Sequence, residues 1–352
     1  MRVIYVNSIG DLSTTRGFGQ YRWAYEVFNR LNVFKEKGKE IEMATTNYPK
    51  YPFLVGGLTP LLISLFDRNL SNYDIVHSID YRPIFHTCIK GISVANVADF
   101  LPLTHPELIN QSGKHGIKNR LGFYLVICNG LRRQLKNDYI ITCSNQSKQE
   151  AIDLGFDKDK IFVTELGVDE RFLHLPLKGR NKDKFSVGYV GSFTTRKNVI
   201  AFDTVMSKID DEKINGYLYG SPFGYEYQNV IKSKPKNTTY MGFAEENILQ
   251  EIYSSFDVML MPSRYEGFGL PILEALSCGT PVILFKDALI PDEVKKGCIL
   301  VKDEDEAAER IMDMAKNGID QRLRISAKEY ASNFTWDKTA LETFEAYKRM
   351  IE

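Results

Sequence analysis

The chain has 352 residues, with 43% hydrophobic and 12% aromatic content, which is more than one core usually holds and leads to an expectation of two domains. Its 45 basic and 45 acidic side chains cancel, so there is no global field of the kind a nucleic-acid binder shows, and nucleic acid is excluded as an expected partner. Cys88, Cys128, Cys143, Cys278 and Cys298 form no close pair, which argues against a zinc site or a disulfide framework and fits a reducing compartment.

MRVIYVNS opens directly on a strand, Arg2 to Val6, and no run of about 18 apolar residues follows anywhere, so a cytoplasmic protein without a transmembrane helix is expected. A polar segment, Ser8 to Gly19, then leads into a helical pattern from Gln20 to Leu31. Strand-like runs recur at Ile41 to Ala44, Ile75 to Ser78, Ile92 to Ala98, Tyr139 to Cys143 and Ile161 to Thr164. They are separated by stretches long enough for crossover helices, which predicts a parallel sheet with helices on both faces. In such a sheet the ligand crevice lies at the carboxyl ends of the strands, and RGFGQY, with Gly17 and Gly19, is placed to meet it. His77 at a strand end and His105 between two prolines are read as carrying no chemical task.

Two segments of this half bear on membranes. Tyr51 to Phe66 is apolar but broken by Pro52, Gly56, Gly57 and Pro60, so it reads as a core helix or a membrane-touching loop, too interrupted to span a bilayer. Lys114 to Lys136 carries six basic residues and no acidic one around GFYLVIC. Such a segment either lies on anionic lipid or forms a surface helix.

His174 to Lys184, rich in proline, glycine and charge, reads as a linker. The alternation restarts with the strand FSVGYVG at Phe185, followed by the loop GSFTTRKN and a helical run from Val199. Gly191, Ser192 and the adjacent Arg196 and Lys197 ahead of a helix N-terminus supply what a diphosphate needs: close backbone approach, donors and positive charge. Further strands are expected at Gly216 to Tyr219, Thr238 to Met241, Val258 to Met261, Pro281 to Phe285 and Ile299 to Val301.

The most informative stretch is MPSRYEGFGLPILEALSCGTP, Met261 to Pro281. A buried strand ends at Pro262, Gly267 and Gly269 let backbone approach a ligand, and Pro271 sits where a helix can begin without its missing N–H. The helix that follows presents unpaired N–H groups and a partial positive charge to an anion, until Gly279 stops it. Eight helical residues would hold Glu266 and Glu274 about 12 Å apart. A glycosidase pair needs roughly 5 to 9.5 Å, so the two carboxylates read instead as two grips on one extended ligand. The plain alternative is an ordinary strand, turn and helix with solvated glutamates.

EGFGLPILEA after a buried strand resembles the E-x7-E motif of retaining glycosyltransferases with the GT-B fold, in particular family 4, the glycosyl transferases group 1. The resemblance implies that Glu266 meets donor sugar hydroxyls, that the backbone of Gly267, Phe268, Gly269 and Leu270 runs beside sugar and diphosphate, and that Glu274 holds the ribose hydroxyls. GSFTTRKN resembles the family's diphosphate loop, with Ser192 where an arginine often stands and Arg196 placed to supply that charge. Gly220, Gly242 and Phe243 then become candidates for the rim around the base. RGFGQY resembles the family's GGxGRY segment, with Arg16 in place of a glycine. ANVADFLPLTHPE resembles its V-H-D-L-x-P stretch, with Ala98 at the histidine position and Asp99 beside it, so Asp99 and His105 are the candidates to compensate. Ser144 to Phe172 resembles the last N-terminal-domain helix and strand, with Leu166 in place of an asparagine, and FTWDKTALETFEAYKRMIE resembles the final helix.

The implied architecture is α/β, GT-B: two doubly wound Rossmann-like domains facing across a cleft. Residues 1–173 would form the acceptor-side domain, 174–184 the linker, 185–334 the nucleotide-sugar domain, and 335–352 a helix crossing back. The implied reaction moves a sugar from a UDP- or GDP-sugar to a glycan, lipid-linked or other hydroxyl acceptor with retention. It takes no cofactor, because Arg196 and Lys197 stand in for a metal. Lipid-linked acceptors imply peripheral contact with the inner face of an anionic membrane. The alternative, prompted by Ala98, is a non-catalytic sugar-nucleotide-binding or scaffold protein.

Overall fold

The computed structural model describes residues 1–7, 19–36, 38–47, 70–79, 89–109, 127–173, 184–220 and 235–352. Gly17, the 51–66 run, residues 114–126 of the basic segment and nearly all of the 174–184 stretch lie outside the described residues. The chain divides into two compact units, one of Met1–Thr104, Ile117–Gly167 and Trp336–Glu352, the other of His105–Gly116 and Val168–Thr335.

The first unit is built on β1 (Arg2–Asn7), β2 (Glu42–Asn47), β3 (Ile75–Ser78), β4 (Ile92–Val97), β5 (Tyr139–Thr142) and β6 (Ile161–Val163), in the order β2-β1-β3-β4-β5-β6. Every pairing is parallel, and β1, β3 and β4 are buried at nearly every position, as strands covered on both faces are. Its helices are α1 (Gln20–Glu36), α2 (Leu101–Thr104), α3 (Asn129–Gln134) and α4 (Asn145–Asp153). α4 begins at Ser144, whose Oγ accepts from the Ser147 N–H, an ordinary hydroxyl N-cap. Phe100, Leu131, Ala151 and Phe156 pack with Ala95, Val97 and Ile140 as one core cluster.

The second unit repeats the pattern with β7 (Phe185–Val190), β8 (Ile214–Tyr219), β9 (Thr238–Gly242), β10 (Val258–Met261), β11 (Val282–Phe285) and β12 (Ile299–Val301), all parallel. The order is β12-β11-β10-β7-β8-β9, so the chain winds outward from β7 to β9 and then restarts at β10 on the other side of β7. That reversal between β7 and β10 is a topological switch point, where loops leave in opposite directions and open a crevice. Helices α5 (Glu170–Leu173), α6 (Val199–Ser207), α7 (Leu249–Ser255), α8 (Leu270–Ser277), α9 (Asp292–Lys295), α10 (Glu304–Asn317) and α11 (Gln321–Ala331) accompany the strands. The Val258–Met261 and Val282–Phe285 strands are buried at every position, which marks the centre of the sheet.

The last helix, α12 (Trp336–Ile351), belongs to the first unit and packs on α1. Phe34 and Phe344 meet edge to face, Asp337 accepts from Arg30 Nε at 2.7 Å, and Tyr347 donates to Tyr5 Oη at 2.9 Å. The same Tyr347 hydroxyl lies 2.6 Å from Nδ1 of His77. Burial lowers the His77 pKa to about 3, so the imidazole is a neutral core group. Among the described residues no helix is long and apolar enough to cross a membrane.

Candidate functional site

The loop after β7 and the loop after β10 leave from adjacent strands, so residues about 70 apart in sequence are brought together. The first loop turns through a short 3-10 segment, Thr195–Lys197, and Asn198 takes the left-handed conformation at φ 49° before α6 begins. Its backbone is tied to the second loop, since the Arg264 N–H donates to the Arg196 carbonyl at 2.9 Å. The second loop is held on its far side by a parallel bridge between Tyr265 and Leu289, in which the Glu266 N–H donates to the Leu289 carbonyl at 2.9 Å.

These ties set up a buried ion triad. Lys197 Nζ lies 2.5 Å from Glu266 Oε1, and Arg196 Nη1 donates to Glu266 Oε2 at 2.8 Å and to the Tyr265 carbonyl at 3.0 Å. Burial alone would raise the Glu266 pKa, but the charges of Lys197 and Arg196 prevail and hold it at about 2. Both cations thus face the one Glu266 carboxylate, on a loop that runs into α8 at Leu270.

Gly269 starts that helix at φ 106°, a backbone conformation strained for side-chain-bearing residues, and a Cβ there would lie 3.0 Å from Ile272 Cδ1. Pro271 follows within the first turn, where the missing N–H costs nothing. The other end closes with a Schellman pair, Thr280 N–H to the Ala275 carbonyl and Gly279 N–H to the Leu276 carbonyl. Arg324 Nε from α11 also donates to the Gly279 carbonyl at 3.1 Å. Glu274, 3% exposed in the middle of α8, accepts from Tyr253 Oη at 2.9 Å.

The remaining sequence candidates fall into three groups. Gly191, Ser192, Gly220 and Gly242 lie together at the carboxyl ends of β7, β8 and β9. The Gly191 N–H donates to the Tyr219 carbonyl, the Gly220 N–H to the Gly242 carbonyl, and Tyr189 Oη to the Ser192 carbonyl. Phe243 follows with 57% of its surface exposed. Gly267, Gly269 and Leu270 lie in the loop and first turn ahead of Glu274, and the Phe268 ring is buried and packs edge-on against Phe334. Gly19 and Asp99 belong to the first unit. Gly19, at φ 57°, accepts from the Trp23 N–H, and Asp99 Oδ1 accepts from the Leu101 N–H at 3.2 Å.

The loop at Ala98 is firmly held: its carbonyl accepts from Ser147 Oγ at 2.8 Å and from Cys143 Sγ at 3.3 Å. His105, read from sequence as a plain loop residue, stands in the second unit with its ring 5.8 Å from that of Tyr265 and Nδ1 3.2 Å from Glu107. Tyr253 was missed altogether. It precedes Glu274 by 21 residues on another helix, and helical periodicity marks it only as a core position. One further buried acid lies in α6: Asp203 is 7% exposed, and neither carboxyl oxygen has a hydrogen-bond partner among the described residues.

The triad of two cations and a glutamate lies at the switch point, with the glutamate on the loop that leads into α8. Residues 175–333 match the sequence profile of the glycosyl transferases group 1. That segment holds both loops and α8. An O-antigen chain mannosyltransferase B of Escherichia coli is 25% identical over 228 residues, 59% of this chain and 60% of that one. An uncharacterized 41.2 kDa protein in the cps region of Klebsiella pneumoniae is 29% identical over 208 residues, 56% of this chain and 57% of that one. The chain thus spans less than two thirds of the length of these curated relatives. Anabaena HepE, solved in complex with UDP and glucose, superposes with a TM-score of 0.67 at 15% identity, over 99% of this chain and 100% of that one. The fold is that of the GT-B glycosyltransferases, two doubly wound parallel sheets, each with its own switch point.

Proposed function

We propose that the protein is a retaining, metal-independent glycosyltransferase of family 4 that moves a hexosyl group from a UDP- or GDP-sugar to a glycan or lipid-linked hydroxyl. The observation that carries this reading is the Arg196, Lys197 and Glu266 triad at the β7/β10 switch point, with the α8 N-terminus beside it. In the reaction, the bond from the anomeric carbon to the diphosphate breaks and its electron pair leaves with the diphosphate, while the acceptor hydroxyl oxygen bonds to that carbon and gives up its proton to the departing diphosphate. Arg196, Lys197 and the α8 N–H groups offset the charge that collects there, as preorganised donors do in a site that need not reorganise. Glu266, fixed by both cations, faces the sugar hydroxyls, and Glu274 takes the ribose. Gly220, Gly242 and Phe243 line the base, Gly17 and Gly19 serve the acceptor side, and Asp99 stands in for the histidine that Ala98 replaces.

Support for the donor class comes from HepE, whose structure holds UDP and glucose, and support for a hexosyl group comes from the mannosyltransferase relative. The exposed Arg132, Arg133 and Lys136 at the end of α3, opposite buried Leu131 and Gln134, support contact with anionic lipid on the cytoplasmic face. Ala98 favours a second reading, a nucleotide-sugar-binding protein without turnover, since its methyl group offers no hydrogen bond to a sugar.

Thermal shift with UDP, GDP, ADP and their sugars tests the reading first, because selective binding raises the melting temperature by mass action. The matched donor, incubated with membrane extract as acceptor source, should then release nucleotide and form a glycosylated product. Selective binding with no turnover would leave the second reading standing. No shift with any nucleotide would remove both.

A further inference from the structure

We propose that Tyr253 is a positioning residue that sets the site's preference for a ribonucleotide over a deoxyribonucleotide, an inference resting on the assignment of Glu274 to the ribose. Tyr253 lies in α7, 1% exposed, and its phenol donates to Glu274 Oε2 at 2.9 Å between two buried side chains. The tyrosine is fixed from two further directions: its ring packs edge to face on Phe172 at 6.0 Å, and its carbonyl accepts from Thr280 Oγ1 at 2.7 Å. Thr280 also closes the end of α8, so the helix that carries the acceptor oxygen and the helix that carries the donor hydroxyl are locked in one register.

A glutamate side chain has three rotatable bonds, and a carboxylate that reads a vicinal diol must hold its plane to about a hydrogen bond's angular tolerance. A hydrogen bond from a buried phenol to one oxygen fixes both the rotamer and the plane. The gain appears wherever the ligand offers two hydroxyls at a set spacing, and is lost with a ligand that offers one. Tyr253 therefore touches neither the ligand nor the reacting atoms, and acts through Glu274.

Calorimetry on the full chain tests this with UDP, 2′-deoxy-UDP and 3′-deoxy-UDP, and with the guanosine set in parallel. The unaltered protein should bind the ribonucleotide at least about tenfold tighter than the weaker of its deoxy analogues, and Tyr253→Phe should cut that ratio about fivefold. Tyr253→Phe keeps the ring on Phe172. Added to Glu274→Ala, which leaves the phenol no acceptor at that position, it should change nothing further, since the two groups act through one bond. Replacing Tyr253 with 3-fluorotyrosine, a near-isostere with a stronger phenol donor, should keep or raise the ratio and guards against a Phe variant that fails to fold. An unchanged ratio in Tyr253→Phe, or equal weakening of all three ligands, would overturn the inference while leaving Glu274 at the ribose. No discrimination in the unaltered protein would overturn the assignment of Glu274, and the inference with it.

Discussion

Lys197 and Glu266 come from loops on neighbouring strands and meet with 2.5 Å between Nζ and Oε1, each with less than a tenth of its side chain exposed. Arg196 completes the triad from a more open position, 27% exposed. Breaking a buried pair by removing one partner costs about 3 to 5 kcal/mol, whereas a half-exposed pair is worth about 1 kcal/mol or less. Lys197→Ala is therefore expected to lower urea stability by about 3 kcal/mol and Arg196→Ala by about 1 kcal/mol. Equal losses would show that burial does not rank the two cations.

Acid should expose the same triad. Glu266 titrates at about 2 in the folded chain against 4.5 without its partners, so its contribution is complete above pH 4.5 and is lost as pH falls toward 2. Glu266→Gln should flatten the stability curve in that window, removing up to about 3 kcal/mol of pH dependence. A variant curve parallel to the original would contradict this.

Asp203 works in the opposite sense. Burial without a hydrogen-bond partner among the described residues raises its carboxyl from 3.8 to about 7. The folded chain keeps a proton there that the unfolded chain gives up, so the contribution is complete below pH 3.8 and is lost as pH rises to about 7. Asp203→Asn should melt higher than the original protein at pH 8 and lose that advantage near pH 4. The same difference at both pH values would rule out titration of Asp203.

Two glycines at the carboxyl ends of β8 and β9 should fail for different reasons. A Cβ on Gly220 would lie 2.2 Å from the Gly191 carbonyl oxygen, whereas Gly242 has open space and a φ of 90°. Gly220→Ala should cost at least about 2 kcal/mol, because backbone must move. Gly242→Asn should cost about 1 kcal/mol or less, and Gly242→Val should cost clearly more, because asparagine tolerates the left-handed region and a β-branched residue does not. Denaturant midpoints of the three variants would decide it, and a benign Gly220→Ala would refute the close approach.

The two glutamates should divide binding from transfer. Glu274→Ala should weaken the bare nucleoside diphosphate by about 1.5 to 3 kcal/mol, roughly ten- to a hundredfold. Glu266→Ala should spare the bare nucleotide relative to that loss and slow single-turnover transfer, because contacts at the anomeric carbon count most in the transition state. The reverse pattern would turn the donor end for end.

The middle of the second sheet was legible because β10 and β11 are continuous apolar runs. VMLM and VILF have no polar face to misplace, and GFGLP marks a turn into a helix by steric need alone. The triad was legible only as parts. Arg196 and Lys197 stood ahead of a helix and Glu266 in a glycine loop, but their contact depends on β10 lying beside β7, a long-range pairing that no local period encodes. Tyr253 was not legible at all, because a buried phenol reads as core, and for His105 the setting was not, because its neighbour Tyr265 comes from a part of the chain 160 residues away. Asp203 ran against the pattern, since a lone acid on an amphipathic helix reads as its wet face.

The longer segment of the second unit runs from Val168 to Thr335, and these two residues lie side by side in a parallel bridge, with the Val168 N–H donating to the Phe334 carbonyl. For the first unit, the intervening chain is thus a detour of about 170 residues between Gly167 and α12, and closing a flexible loop of that length would cost about 4 to 5 kcal/mol of chain entropy. Once the second unit has folded, its ends are already adjacent, and the detour shrinks to the equivalent of a short turn. The docking of α12 onto α1, with Phe344 against Phe34 and Tyr347 bonded to Tyr5, then closes a short connection in place of a long loop.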